Sequence, residues 1–256
     1  MDLKRILKLN IVSIAHKPKS EKMPTAIVTG GAIRIGKTMA LHLAGKGFNI
    51  ALHHHKSVPS AVIQKIKSQD VQCRSYPCDF SNLEEAERFI EKVLIDFDDV
   101  ELLINSAANF IQENLEETQK ETLTDTLQLN LMSPYLLMRD FKRHINKGMI
   151  VNILDERVRK HISTFGAYSV SKVGLKHLTE LAAVEWGQTV RVNGIAPGLI
   201  LPPQGGAPDY LKKAAKKVPT RTHGEIENLL QALDYLMENL FVNGDTLFVD
   251  GAESLC

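Results

Sequence analysis

The sequence predicts a single α/β domain built on a doubly wound parallel sheet of about seven strands, and two observations carry that expectation. Apolar runs recur at Thr25–Thr29, Phe48–His53, Val71–Tyr76, Val100–Asn105, Met149–Leu154, Val190–Ala196 and Thr246–Val249, nearly all separated by stretches long enough for a helix. Buried strands alternating with amphipathic helices imply a parallel sheet covered on both faces, with ligands bound at the carboxyl ends of the strands. The second observation is that every chemically suggestive motif falls at such an end.

Bulk properties narrow the class. A length of 256 residues fits one α/β unit, and 44% hydrophobic with 24% charged residues supports a sizeable core. A net charge of +1 argues against a general nucleic-acid or membrane surface. Cys73, Cys78 and Cys256 are odd in number and lack zinc-type spacing, which predicts reduced thiols in a cytoplasmic protein and no metal. Residues 1–22 stand apart: Lys4, Arg5, Lys8, Lys17, Lys19 and Lys22 face only Asp2 and Glu21. This basic leader lacks the long apolar run of a signal or spanning helix, so a dangling extension is expected ahead of a domain over 23–256. Met23, just before the first strand, is also a possible start.

The elements follow in order. The first strand enters Thr29-Gly30-Gly31-Ala32-Ile33-Arg34-Ile35-Gly36, which opens a helical pattern over Lys37–Lys46 that Gly45 and Gly47 end. Strand, glycine turn and helix are the context for dinucleotide binding, because amides at a helix N-terminus can face a pyrophosphate only where no Cβ blocks the approach. Alone, the turn also fits an ordinary strand-to-helix corner. The second strand runs out into His53-His54-His55-Lys56-Ser57, and Asp79-Phe80 follow the third. Glu84–Phe97 reads as a helix with Ser81 as N-cap and Phe89, Ile90, Val93, Leu94 and Phe97 facing inward. Asn105-Ser106-Ala107-Ala108 follow the fourth strand, and Leu123–Phe141 and Thr164–Trp186 are the long helical patterns on either side of the fifth.

The fifth run closes on Asp155, and thirteen residues later stand Tyr168 and Lys172. A phenol with an unperturbed pKa of about 10 is a poor acid or base near neutrality, but a fixed ammonium nearby favours the phenolate. One helical turn puts the two side chains on one face. Tyr-x-x-x-Lys alone also describes many solvated helix faces; the glycine turn upstream is what gives it weight.

Taken together, these residues resemble the short-chain dehydrogenase/reductase family from about Thr25 to Leu255. Asn105–Ala108 is similar to that family's Asn-Asn-Ala-Gly stretch, and Asn130 to the helix asparagine that holds a proton-relay water. Arg191–Gly198 resembles the strand and turn that wrap the nicotinamide, and Gly244–Gly251 the last strand. The resemblance implies a Rossmann-type fold and an NAD(P)-dependent reductase. It also implies that the two long helices pair across a dimer axis, giving a homodimer or homotetramer. Two departures point to a branch: Asp155 replaces the usual catalytic serine, and Arg34 the usual second glycine of the phosphate turn. With His53–Ser57, Phe110, Val158-Arg159-Lys160 and the compact stretch Pro197–Pro219, they are similar to pteridine reductases and, more closely, to bacterial dihydromonapterin/dihydrofolate reductases.

The cofactor expectation is NADPH. An NAD enzyme usually places an acid at the end of the second strand, whereas His54, His55, Lys56 and Ser57 offer cations and donors for an extra phosphate. The resemblance adds Gly30, Arg34, Ile35 and Gly36 around the pyrophosphate, Asp79 and Phe80 at the adenine, and Asn105, Ser106, Ala107, Pro197, Gly198, Leu199 and Ile200 towards the nicotinamide. Lys172 is expected to hold the ribose and lower the pKa of Tyr168.

The resemblance implies a small dihydropterin as substrate, 7,8-dihydromonapterin, dihydrofolate or dihydrobiopterin, reduced to the tetrahydropterin. A carbonyl acceptor becomes an alkoxide, which a neutral hydroxyl serves better than a charged acid; an imine becomes a basic nitrogen, which suits a protonatable Asp155 in series with Tyr168. Burial beside the cofactor is expected to favour the protonated acid. Phe110 would stack on a flat pterin, Arg34 would touch both phosphate and pterin, and Tyr210 would edge the pocket. Ala108 stands where many pteridine reductases carry a serine that helps hold the pterin. The rivals are a carbonyl-reducing short-chain reductase of 3-oxoacyl type, disfavoured by Asp155, and a silent NADPH-binding regulator, disfavoured by the intact Asn130, Tyr168 and Lys172.

Overall fold

The computed structural model describes residues 22–56, 58–203 and 205–256. The basic leader up to residue 21, and Ser57, lie outside the described residues. Lys22, at the leader's end, makes an ion pair with Asp98.

Seven strands form one parallel sheet: β1 (Thr25–Val28), β2 (Asn49–His54), β3 (Cys73–Pro77), β4 (Val100–Asn105), β5 (Gly148–Ile153), β6 (Val190–Pro197) and β7 (Thr246–Val249). Their order is β3-β2-β1-β4-β5-β6-β7, every pairing parallel. The chain winds outward from β1 in one direction and from β4 in the other, so a crevice opens between the carboxyl ends of these two strands. Alternate side chains enter opposite cores. Val28 packs with Leu43, Ile66 and Leu233 under α1 (Arg34–Gly45), α2 (Ser60–Lys67) and α9 (Ile226–Glu238). Ile27 packs with Phe89, Phe141 and Leu175 on the other face.

That second face carries α3 (Leu83–Glu87), α4 (Phe89–Leu94), α5 (Lys120–Leu127), α6 (Ser133–His144) and α7 (Gly166–Trp186). The single helix expected over Glu84–Phe97 is divided. At Arg88 ψ is −3° and the N–H reaches Glu85 O, three residues back, while Ala86, Phe89 and Ile90 stay fully buried on either side. The N-cap is Asn82, whose side chain accepts from the Glu84 and Glu85 N–H groups at 3.1 and 3.3 Å. Ser81 is not free to cap, because its hydroxyl and N–H both bond Asp79.

The helix expected over Leu123–Phe141 is longer and interrupted. Between α5 and α6 lies one π turn, Gln128–Met132, in which the Ser133 N–H reaches back five residues to Gln128 O. An α-helical ladder would ask Pro134 for an N–H to satisfy Asn130 O, and proline has none. The π turn therefore falls around Asn130, at the position the sequence marks for function. A buried polar chain ties β4, β5 and α7 beneath it: Asn105 Nδ2 donates to Asn152 Oδ1 at 2.8 Å, and Asn152 Nδ2 to Thr179 Oγ1 at 2.8 Å. Such groups are tolerated inside only when paired, so the chain fixes the helix against the strands.

Candidate active site

At the end of β1 the backbone turns through Gly30, with φ of +61°, a region that costs little only for glycine. A Cβ at Gly36 would lie 2.4 Å from Gly30 O, so the turn and the first turn of α1 approach as closely as their backbones allow. Thr29 Oγ1 accepts from the Ser106 and Ala107 N–H groups at 2.9 and 3.0 Å, joining the turn to the segment after β4. His53 supports it from below. Its Nδ1 accepts from the Gly30 N–H at 2.9 Å, Nε2 pairs with Cys78 O at 3.0 Å, and the ring stacks on Phe80 at 4.1 Å. Burial pushes the imidazole down to about 4, so it is neutral and its tautomer is set by these partners. A cradle that admits no Cβ, roofed by helix N-terminal amides, fits a pyrophosphate.

Arg34 occupies φ of +50°, uncommon for a residue that carries a Cβ, and its Nη2 donates across the cleft to Pro202 O at 2.9 Å. Ile35 is half-buried against the core. At the end of β2, His54 is buried with Nδ1 unpartnered, and burial lowers its pKa. His55 Nε2 lies 3.5 Å from Asp79 Oδ2, and Lys56 is exposed. The Ser81 hydroxyl, then the charges of His55 and Lys56, hold Asp79 below the usual carboxylate range. On the opposite wall the Gly198 N–H bonds Val249 O, the Leu199 N–H bonds Glu253 Oε2 at 3.1 Å, and Ile200 is buried.

The structure brings the three reactive candidates together. Asp155 caps a single 3-10 turn, Glu156–Val158, just beyond β5. Tyr168 Oη donates to Asp155 Oδ2 at 2.8 Å, and Lys172 Nζ, almost fully buried, donates to Ile153 O at 2.7 Å. Burial lowers Lys172 to about 8, opposed by the charge of Asp155. The expected lowering of Tyr168 by Lys172 is not found. Burial first, then the Asp155 charge and hydrogen bond, hold the phenol well above its usual range. Asp155 accepts on both oxygens, from Arg157 Nη1 on Oδ1 at 3.0 Å and from Tyr168 on Oδ2.

Asn130 is fully buried. Its amide donates to Asn109 Oδ1 and Ser171 Oγ at 3.0 and 3.2 Å, and its Oδ1 accepts from the Asn109 N–H at 3.0 Å. It therefore braces the segment that carries Phe110. Phe110 is no core aromatic: it is 50% exposed, stacked on Phe165 at 4.5 Å and edge-on to Tyr168 at 4.7 Å. Tyr210 opens the short helix α8 (Tyr210–Ala214) and is partly exposed; among the described residues no hydrogen bond or ring contact joins it to Asp155, Phe110 or Tyr168. Sequence reasoning named Thr29 and His53 only as parts of their motifs, without a role, and missed Arg157, Phe165 and Glu253. The spacing of Arg157 two residues after Asp155 was the one available signal, since a 3-10 turn folds such a side chain back on its cap.

A glycine cradle at the crevice and a phenol–ammonium pair across from it are the parts of a nucleotide-dependent oxidoreductase. Residues 31–252 match the family model described as enoyl-(acyl carrier protein) reductase, and the chain belongs to the short-chain dehydrogenase/reductase family. A dihydromonapterin reductase of Escherichia coli O6:H1 is 26% identical over 242 residues, covering 93% of this chain and 99% of that one. Glucose 1-dehydrogenase 2 of Bacillus subtilis is 27% identical over 246 residues, covering 90% and 95%. The solved structure of FolM alternative dihydrofolate reductase 1 from Brucella canis with NADP aligns at a TM-score of 0.85 and 26% identity, covering 91% of this chain and 94% of that one.

One group in the site titrates near neutrality. Glu156 is buried beside Asp155, with Oε2 unpartnered, and burial raises it to about 7. A carboxyl that titrates near 4.3 in the unfolded chain holds its proton longer when folded. Its contribution to stability is full below the unfolded value and lost as pH rises through about 7. Glu156→Gln is expected to remove that loss, so thermal melts should show its Tm gaining on the wild type between pH 6 and 8.5. A constant difference across that range would contradict the assignment.

Proposed function

We propose that this short-chain reductase converts a dihydropterin, of the dihydromonapterin or dihydrofolate kind, to the tetrahydropterin with NADPH. The observation that carries the reading is Asp155 on the Tyr168 phenol, 2.8 Å away, beside a half-exposed aromatic shelf. The relatives named for dihydromonapterin and dihydrofolate reduction, one of them bound to NADP, agree with it.

The turn Gly30–Gly36 would hold the pyrophosphate, with Arg34 at its mouth. His54, His55, Lys56 and Ser57 would surround the 2′-phosphate, Asp79 and Phe80 the adenine, and Lys172 the nicotinamide ribose. Asn105, Ser106 and Ala107 on one side and Pro197, Gly198, Leu199 and Ile200 on the other would orient the ring. When bound, NADPH supplies the hydride, which a dihydropterin accepts at C6. The residues' task is the proton for N5. Tyr168, kept protonated by burial and by Asp155, would hand its phenolic proton to N5, and Asp155, having taken a proton from solvent, would return it to the phenolate through Oδ2. Phe110 and Phe165 form the shelf on which a flat ring stacks.

Among the described residues no helix is long and apolar enough to cross a membrane. Cys73 and Cys78 are free and buried, which supports a reduced, cytoplasmic setting. A second copy of this chain would cover the π turn, α6 and α7, where exposed Met132, Tyr135 and Leu181 line a hollow of about 550 Å³ and Val184 is exposed on the same helix as Leu181. Light scattering should show a dimer or tetramer for the wild type and a smaller species for Leu181→Glu; a monomeric wild type would refute the oligomer.

Lys56→Ala is expected to raise the apparent KM for NADPH by about tenfold, corresponding to a charge-assisted contact of about 1.5–3 kcal/mol, and to leave NADH use nearly unchanged. Equal losses with both cofactors would remove Lys56 from the phosphate site.

The substrate reading is tested by NADPH oxidation across a panel of dihydropterins with a 3-oxoacyl ester as control. Asp155→Asn should keep cofactor binding and lower kcat by roughly 10²–10⁴, the range for a lost general acid. Asp155→Ser should shift residual activity towards carbonyl substrates. If both variants reduce dihydropterin at the wild-type rate, Asp155 is structural and the pterin reading fails.

A further inference from the structure

The two oxygens of Asp155 are held unequally. Oδ1 accepts from the backbone N–H of Arg157 and from Arg157 Nη1, each at 3.0 Å, while among the described residues Oδ2 accepts only the Tyr168 hydroxyl. A carboxylate with one such partner could rotate and offer either oxygen. Two donors from a single residue remove that freedom.

Arg157 is itself fixed. Its guanidinium carbon lies 4.7 Å from the centre of the Phe165 ring and 5.2 Å from that of Phe110, and its side chain is only 19% exposed. A guanidinium over two aromatic faces is held by electrostatics and by packing of its planar surface. The charged and titratable groups around Asp155 are few. Its own turn brings Arg157 and Glu156, with Arg157 Nη1 3.6 Å from Glu156 Oε1. From α7 come Tyr168 and Lys172, the latter bonded to Ile153 O rather than to the acid. Among the described residues Arg157 is thus the cation in direct contact with this carboxylate.

We propose that Arg157 is the positioning residue of the acid–phenol pair: it clamps Oδ1, so that Oδ2 alone addresses Tyr168, and its fixed charge sets the pH up to which Asp155 can return a proton. The inference rests on the reading that Asp155 passes a proton to Tyr168, and it adds the group that aims and tunes that step. A cation beside a carboxylate favours the ionised form. It makes Asp155 a readier proton donor to the phenol and lets it empty at lower pH. The same side chain backs the Phe110–Phe165 shelf, so the proton path and the ring-binding surface share one support.

The test uses Arg157→Met, which keeps an unbranched apolar stem, and Arg157→Lys, which restores the charge. The first readout needs no substrate: carbon-13 NMR of protein labelled at aspartate carboxyl carbons, with the Asp155 signal identified by its loss in Asp155→Asn. The midpoint of that titration is expected to move up by about one pH unit or more in Arg157→Met and to stay near the wild type in Arg157→Lys. The second readout is the pH profile of kcat with a dihydropterin. Its alkaline limb should move up with the NMR midpoint in Arg157→Met, with kcat at pH 6 reduced several-fold. An unmoved midpoint in Arg157→Met overturns the proposal. A midpoint that moves in a protein with no dihydropterin turnover at all supports the clamp and refutes the substrate reading instead. Should Arg157→Met fail to fold, Arg157→Gln carries the same expectation.

Discussion

Burial of the Lys172 ammonium constrains the site more than any other interaction. Only 3% of this residue is exposed, and the hydrogen bond it makes is to Ile153 O, at the last residue of β5. A charge taken out of water persists only where a polar partner is held at the right place, and here that partner is backbone. The register of α7 against β5 is therefore fixed by a group that cannot slide. One helical turn before Lys172 stands Tyr168, and two residues beyond Ile153 stands Asp155, so the same register brings phenol to carboxylate. The Asn105–Asn152–Thr179 chain secures that register again from inside the core.

The other wall of the cleft depends on glycine and on a neutral imidazole. Thr29 and His53 satisfy backbone donors on both sides of the turn, leaving the amides at the start of α1 for a ligand. Arg34 is the exception to economy here. A non-glycine residue at φ of +50° carries a conformational cost of order 1 kcal/mol, offset in part by its bond across the cleft to Pro202 O. Strain kept at the mouth of a binding crevice is more readily explained by a ligand than by folding.

The strands were legible because a parallel sheet buried on both faces writes itself as continuous apolar runs: Thr246–Val249 is found as expected and Met149–Leu154 within one residue. Helix ends were legible where glycine ended them, as at Gly45 and Gly47, but the break at Arg88 and the π turn at Asn130 were not. Periodicity reports which face is buried and is blind to a single slipped hydrogen bond; only Pro134 hinted at the second. Within the site, Asp155, Tyr168 and Lys172 could be found by motif because their spacing is set by one strand end and one helical turn. Phe165, Arg157 and His53 join the site through turns and sheet pairing, and apart from the spacing of Arg157 after Asp155 nothing in the sequence assigns them these contacts.

On the proposed reading, the charge at position 155 decides what kind of proton donor Tyr168 can be. A neutral hydroxyl there would leave the phenol's acidity to Lys172, whereas a carboxylate accepting its proton makes ionisation harder, in the same direction as burial. A phenol so held is suited to giving up its proton only when another is supplied at the same moment and only to a strongly basic acceptor. A developing ring nitrogen meets that description better than the oxygen of a reduced ketone, whose charge a nearby carboxylate would oppose. The pairing of Asp155 with Arg157 agrees with this logic, since a largely buried carboxylate needs a partner for its charged form.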